Sequence, residues 1–135
     1  MPKFGRRSNL NLCTCHPDLQ RLFREVVKTY DCTVDWGHRN KDQQDEMYLA
    51  IPPITTVQYP NSKHNSLPSM AADVVPFIDG KMCWEPRQCY HFAGYVQATA
   101  DRLGIKIRLG ADWDSDNNVN DQTFRDIIHF ELVEE

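Results

Sequence analysis

The sequence predicts an α+β fold: a small, mostly antiparallel sheet with about three helices. Three observations carry this. Apolar residues recur at helical spacing in two long segments, 16–30 and 84–104. Short β-prone runs separate and follow them. The two kinds of element are interspersed with short connections rather than repeated as strand–helix–strand units. At 135 residues, with 41% hydrophobic and 25% charged, the chain has ordinary globular composition and is long enough for one core. It is read as a single domain over 1–135.

The elements follow in order. HPDLQRLFREVVKTY places Leu19, Leu22, Phe23, Val26 and Val27 on one helical face, with Pro17 in the first turn. CTVDW (32–36) is a short strand. A second helix runs from about Lys41 to Ala50. Residues 51–69 hold Pro52, Pro53, Pro60 and Pro68 among many Ser, Thr and Asn, a long irregular loop of the kind that often carries function. AADVVPF (71–77) is a strand and IDGKM a turn. The third helix, WEPRQCYHFAGYVQATADRLG, has Phe92, Tyr95, Val96, Thr99, Ala100 and Leu103 as its inner stripe and Gly104 as its stop. IKIRLG (105–110) alternates as a strand, DWDSDNNVNDQ is an acidic loop, and DIIHFELVEE closes the chain as a strand. In that last strand Ile128, Phe130 and Leu132 share the core face, and His129 and Glu131 the other face with Ile127.

Several classes are excluded or disfavoured. No apolar run is long enough to span a bilayer, and MPKFGRRSNLNL lacks the apolar stretch of a signal peptide. Five cysteines, an odd number without an export signal, argue against a disulfide framework. CTCH (13–16) superficially resembles a metal clip, but one intervening residue is tight for a zinc pair; it reads as the start of the helix, with a metal-binding protein built on Cys13 and Cys15 as the alternative. A net charge of −4 and no basic stripe with interleaved aromatics point away from nucleic acid. KFGRR (3–7) reads as a solvated terminus.

One feature does not fit a plain core. Asp73 stands in the middle of an apolar strand, where a carboxylate is costly unless paired, hydrogen-bonded or bound to metal. Close before it lies His64, in the proline-broken loop, and His129 lies in the last strand. Two imidazoles and a carboxylate form the ligand set of a catalytic zinc, with a fourth position left for water. Asp126, three residues before His129, adds a second carboxylate where a general base belongs.

The motifs Ser62-Lys63-His64, Ala71-Ala72-Asp73 with Pro76, and Asp126-Ile127-Ile128-His129-Phe130-Glu131 resemble the zinc D-Ala-D-Ala carboxypeptidase and L-alanyl-D-glutamate endopeptidase family, the VanY-like enzymes and compact phage endolysins. HPDLQRLF, VDWGHRNKDQQ, ADRLGIKIRLGADWD and DQTF extend the likeness from about Gly5 to Val133. The resemblance implies a hedgehog/D-Ala-D-Ala-peptidase-like fold, with His64, Asp73 and His129 as zinc ligands and Asp126 as the base. It also implies that Arg39 steadies the substrate carbonyl or its oxyanion, for which an always-charged, rigid donor fork is suited. Ser62 is expected to hold its loop or touch substrate. Asp112 and Trp113 are expected to line the substrate groove. Two departures stand out. Eight residues, NSLPSMAA, separate His64 from Asp73 where many members have six, and the base is Asp where many carry Glu; Glu131 is the rival base.

Asp112, Asp114 and Asp116 alternate as at the start of a calcium loop, though Asn117 replaces the expected Gly; a solvated loop is the other reading. The implied partner is the peptidoglycan stem peptide, with no nucleic acid and no membrane insertion, and the chain is expected to be a monomer. The implied setting is the host cytoplasm, with access to the wall after membrane breach. The L-alanyl-D-glutamate bond leads. D-alanyl-D-alanine carboxypeptidase and a non-catalytic zinc-containing wall-binding module are the alternatives.

Overall fold

A computed structural model describes residues 2–121 and 126–133. Its elements are α1 (Arg6–Leu12), α2 (Pro17–Val27), β1 (Cys32–Trp36), α3 (Lys41–Leu49), β2 (Ala71–Ile78), β3 (Lys81–Met82), α4 (Pro86–Leu103), β4 (Ile107–Leu109), a single 3-10 turn (Val119–Asp121) and β5 (His129–Leu132). The sheet order is β1-β2-β5-β4, every pairing is antiparallel, and β3 forms a hairpin with β2. The α+β expectation holds, with four α-helices among the described residues where about three were expected.

Strand alternation sorts the sheet into two faces. Ala72 and Val74 of β2 and Phe130 and Leu132 of β5 join the hydrophobic core with α2 and α4. Phe130 is keyed between those helices: its ring stands edge-on to Phe23 at 5.4 Å and to Phe92 at 6.0 Å between centroids. The other face carries Asp73, His129 and Glu131, and the register fixes their neighbours. Asp73 lies opposite His129, Ala71 opposite Glu131, and Glu131 opposite Arg108 of β4. Asp73 thus interrupts an apolar strand because its side chain points away from the helices.

The helices start and stop as their sequences require. His16 caps α2 by accepting from the Asp18 N–H at 3.0 Å, so CTCH is a helix start. Cys15 is buried, and all five cysteines are free thiols. Asn40 and Gln43 form a reciprocal capping box on α3. Gly104 ends α4 at φ 73°, a conformation that favours glycine.

Two expectations are corrected. The N-terminal segment is not merely a solvated terminus: Arg6–Leu12 is a helix that buries Leu12 and Ser8, whose Oγ accepts the Val34 N–H at 3.0 Å. Arg7 pairs with Asp35. The polar sequence RRSNLNL hides this, because a two-turn helix needs only a few inward residues. The closing strand is also shorter than DIIHFELVEE. Asp126–Ile128 is a turn, closed by the His129 N–H on the Asp126 carbonyl at 3.0 Å. Strand alternation does not extend back through a turn. Ile127 therefore packs against the core and Ile128 lines the cleft, the reverse of the expectation. Most of the DQTF stretch and the last two residues of the expected strand lie outside the described residues.

Candidate active site

β2, β5 and the proline-rich loop bring three side chains together. Asp73 is supplied by the middle of β2, His129 by the first residue of β5, and His64 by the loop. One ligand atom from each lies within 4.8 Å of the other two. His64 Nε2 and His129 Nδ1 both approach Asp73 Oδ1 at 3.2 Å. The far side of each ring is held by an acceptor. His64 Nδ1–H donates to the Gly37 carbonyl at 2.8 Å, and His129 Nε2–H donates to Glu131 Oε1 at 2.9 Å. Fixing one ring nitrogen as N–H directs the lone pair of the other inward, the arrangement that metal-binding histidines require. The donor set is therefore chemically suited to a divalent metal of borderline softness.

Electrostatics agree with a cation site. Burial opposes the charge of Asp73, but His64 and His129 overcome it and hold the carboxyl far below the ordinary carboxylate range. Burial also opposes a proton on His129, yet its bonds to Asp73 and Glu131 raise it to about 9. The pocket attracts positive charge, which either a proton or a metal can supply. Asp126 stands at the edge, its Oδ2 4.0 Å from His129 Nδ1 and its side chain 42% exposed. Burial, followed by the charge of Asp73, raises its carboxyl above the usual range.

Arg39 is buried and packed over the Trp36 ring at 4.9 Å. It donates to Asp73 Oδ2 at 3.3 Å and to Gln44 Oε1 at 3.1 Å. Asp73 thus offers one oxygen to the histidines and the other to Arg39. Ser62 holds the loop: its Oγ accepts the His64 N–H at 3.2 Å, while it also lines the cleft. Glu131 faces His129 and Arg108, bonding the latter at 2.7 Å, so it orients the His129 ring rather than standing where Asp126 does.

These residues lie in a cleft of about 710 Å³ that all three tryptophans of the chain, Trp36, Trp84 and Trp113, help to line. Trp113 lines this cleft, while Asp112 Oδ2 accepts the Asn117 N–H at 2.8 Å within the acidic loop. Asp112, Asp114 and Asp116 do converge, with ligand atoms within 4.8 Å. Sequence reasoning missed Gln44. It is fully buried, and besides receiving Arg39 it donates to the Val57 carbonyl, which ties α3 to the proline-rich loop. Its only signal was a polar residue on a helix with little apolar patterning.

The family model described as phage L-alanyl-D-glutamate peptidase matches residues 1–133. The chain belongs to that family. It is 33% identical over 138 residues to the L-alanyl-D-glutamate peptidase of Escherichia phage T5, covering 97% of this chain and 98% of that one. The crystal structure of the Serratia marcescens L-Ala D-Glu endopeptidase ChiX is similar at a TM-score of 0.74 and 31% identity, covering 96% of this chain and 89% of that one. A phage peptidase family thus accounts for the fold, and the site just described lies on the sheet face opposite α2 and α4, with α3 along the cleft.

Proposed function

We propose that this peptidase is zinc-dependent and hydrolyses the L-alanyl-D-glutamate bond of the peptidoglycan stem as a phage endolysin. The observation that carries the reading is the His64–Asp73–His129 donor triangle with a separate carboxylate, Asp126, beside it on an open cleft. Bound by those three residues, zinc would supply Lewis-acid polarisation of the scissile carbonyl and of the attacking water. Asp126, a part-exposed carboxylate beside His129, takes the proton from that water and returns it to the leaving amine. Arg39 keeps Asp73 oriented through Oδ2 and brings a fixed positive charge to the wall where the oxyanion develops. Glu131 holds the His129 ring.

The experiment is digestion of purified peptidoglycan by the zinc-loaded protein and by Asp126→Ala, with new ends read by mass spectrometry and zinc content measured. New L-Ala carboxyl and D-Glu amino ends, lost in the variant while zinc stays bound, support the endopeptidase and its base. Free D-Ala would reassign the enzyme to the carboxypeptidases. No cleavage by either protein, with zinc in both, would make it a wall-binding module. The reading includes a monomeric, single-domain protein made in the host cytoplasm; among the described residues no helix is long and apolar enough to cross a membrane.

A weak calcium site in the acidic loop is a second reading. It rests on Asp112, which is 2% exposed and whose Oδ1 has no hydrogen-bond partner although it lies beside Asp114 and Asp116. Calcium titration followed by loop proteolysis tests it: protection at millimolar calcium or below supports the site, and none up to that range removes it.

A further inference from the structure

The wall of the cleft beyond His129 carries charge that neither metal ligation nor proton transfer uses. Glu131 Oε1 is taken by His129. Its Oε2 meets two cations, Arg108 at 2.7 Å and Lys63 Nζ at 4.0 Å. Both line the cleft, and their side chains are 44% and 32% exposed, whereas the Glu131 side chain is 6% exposed. Two cations over one carboxylate leave that wall with one positive charge in excess. Of the other acidic lining residues, Asp35 and Glu46 come from β1 and α3, and Asp73 and Asp126 face the opposite ring nitrogen of His129, Nδ1, from the one that Glu131 holds. Arg39 is already committed to Asp73 and Gln44. The Arg108 guanidinium is further steadied over the Trp113 ring at 5.5 Å.

Position matters as much as charge. Glu131 is two residues along β5 from His129, on the same face, and Arg108 is its cross-strand partner. That sets the cationic wall roughly 7 Å along the strand from the metal ligand. The substrate offers an anion near the same place. D-Glutamate in the stem continues the chain through its γ-carboxyl, so its α-carboxyl is carried on the carbon bonded to the scissile nitrogen. In some walls that group is a free carboxylate and in others a neutral amide.

We propose that Lys63 and Arg108 form the subsite for the free α-carboxylate of D-glutamate, so that the enzyme selects free-acid stems over amidated ones. This rests on the peptidase reading above. An amide would place an NH2 group against two cations and would forgo a charge-assisted pair. A site built for one partner rejects an analogue lacking it by about tenfold or more.

The test uses the zinc-loaded full chain and two synthetic N-acetyl-L-Ala-D-Glu(γ)-L-Lys peptides, one with the α-carboxylate and one with the α-amide. The expected result is a kcat/KM ratio, acid over amide, of about ten or more. In Lys63→Gln and in Arg108→Gln that ratio moves toward one. Because Arg108 also touches Glu131, its variant could weaken metal binding, but such damage lowers both substrates together and leaves the ratio unchanged. Tryptophan fluorescence, with Trp113 under Arg108, gives a second readout: the product D-Glu(γ)-L-Lys binds more tightly as acid than as amide. Cleavage of both substrates at equal efficiency overturns the subsite and leaves the peptidase reading intact. A ratio that survives in both variants also overturns it. If neither peptide is cleaved, the peptidase reading fails, and equal binding of the two products would remove the subsite with it.

Discussion

Replacing Glu131 with glutamine separates two roles that its position in the D-x-x-H-F-E stretch leaves open. Glu131 accepts the His129 Nε2–H at 2.9 Å and is 95% buried, with its second oxygen on Arg108. Glutamine keeps the shape and one acceptor oxygen but removes the charge, and turns an NH2 toward Arg108 and Lys63. If Glu131 makes His129 a more basic ligand, zinc affinity falls by about 10–100-fold, the usual effect of losing such a partner. That is about 1.4–2.7 kcal/mol. Chelator competition at fixed pH measures it directly. The metal-free protein gives a second readout: the His129 proton affinity, raised to about 9 partly by Glu131, drops, and the ring titrates lower by NMR. With zinc saturating, the turnover that remains shows that the proton is handled elsewhere. Unchanged zinc affinity together with turnover lost at full zinc occupancy would refute the argument and make Glu131 the base.

Three further outcomes follow from the geometry. Asp126→Asn lowers kcat by about 10²–10⁴ with zinc content unchanged; in the metal-free protein, where burial and then Asp73 raise the Asp126 carboxyl, an NMR titration finds it above the ordinary carboxylate value. Phe130→Ala empties the space between Phe23 and Phe92 and costs about 3–5 kcal/mol, read by denaturant unfolding. Gly110→Ala would put its Cβ 2.0 Å from the Asp126 carbonyl, so the backbone there must shift; a loss of about 1–3 kcal/mol in stability, accompanied by lower kcat at full zinc occupancy, is expected from unfolding and kinetic measurements.

Helices α2 and α4 were legible because each buries one regular face, and periodicity reports that directly; the strand carrying Asp73 is buried on both faces and was legible as a short β-prone run. Asp73 itself was legible as a misfit: an acid among Ala and Val has few affordable fates. His64, by contrast, sits in a loop without periodicity, and only its motif pointed to it. Where local pattern and tertiary contact diverge, the sequence misleads. Arg6–Leu12 looks like a polar tail, yet Leu12 is completely buried because β1 lies against it. Ile127 and Ile128 were read with the phase of β5, but a turn intervenes and exchanges their roles. Gln44 is held by Arg39 and Asn65 at the oxygen of its amide and by Val57 at the nitrogen. No window of sequence contains that relation.

Gly110 receives the Asp126 N–H on its carbonyl at 3.1 Å and gives its own N–H to the His129 carbonyl at 2.8 Å. The chain therefore leaves and rejoins the sheet at one staple, with the 15 residues 111–125 strung between. For a flexible loop, doubling that length would cost only about 0.6 kcal/mol in closure entropy. The staple, not the span of the loop, registers Asp126 against His129. Beyond Trp113 and the three aspartates, this is consequently the place in the fold where the chain can be lengthened without moving the carboxylate that the staple holds.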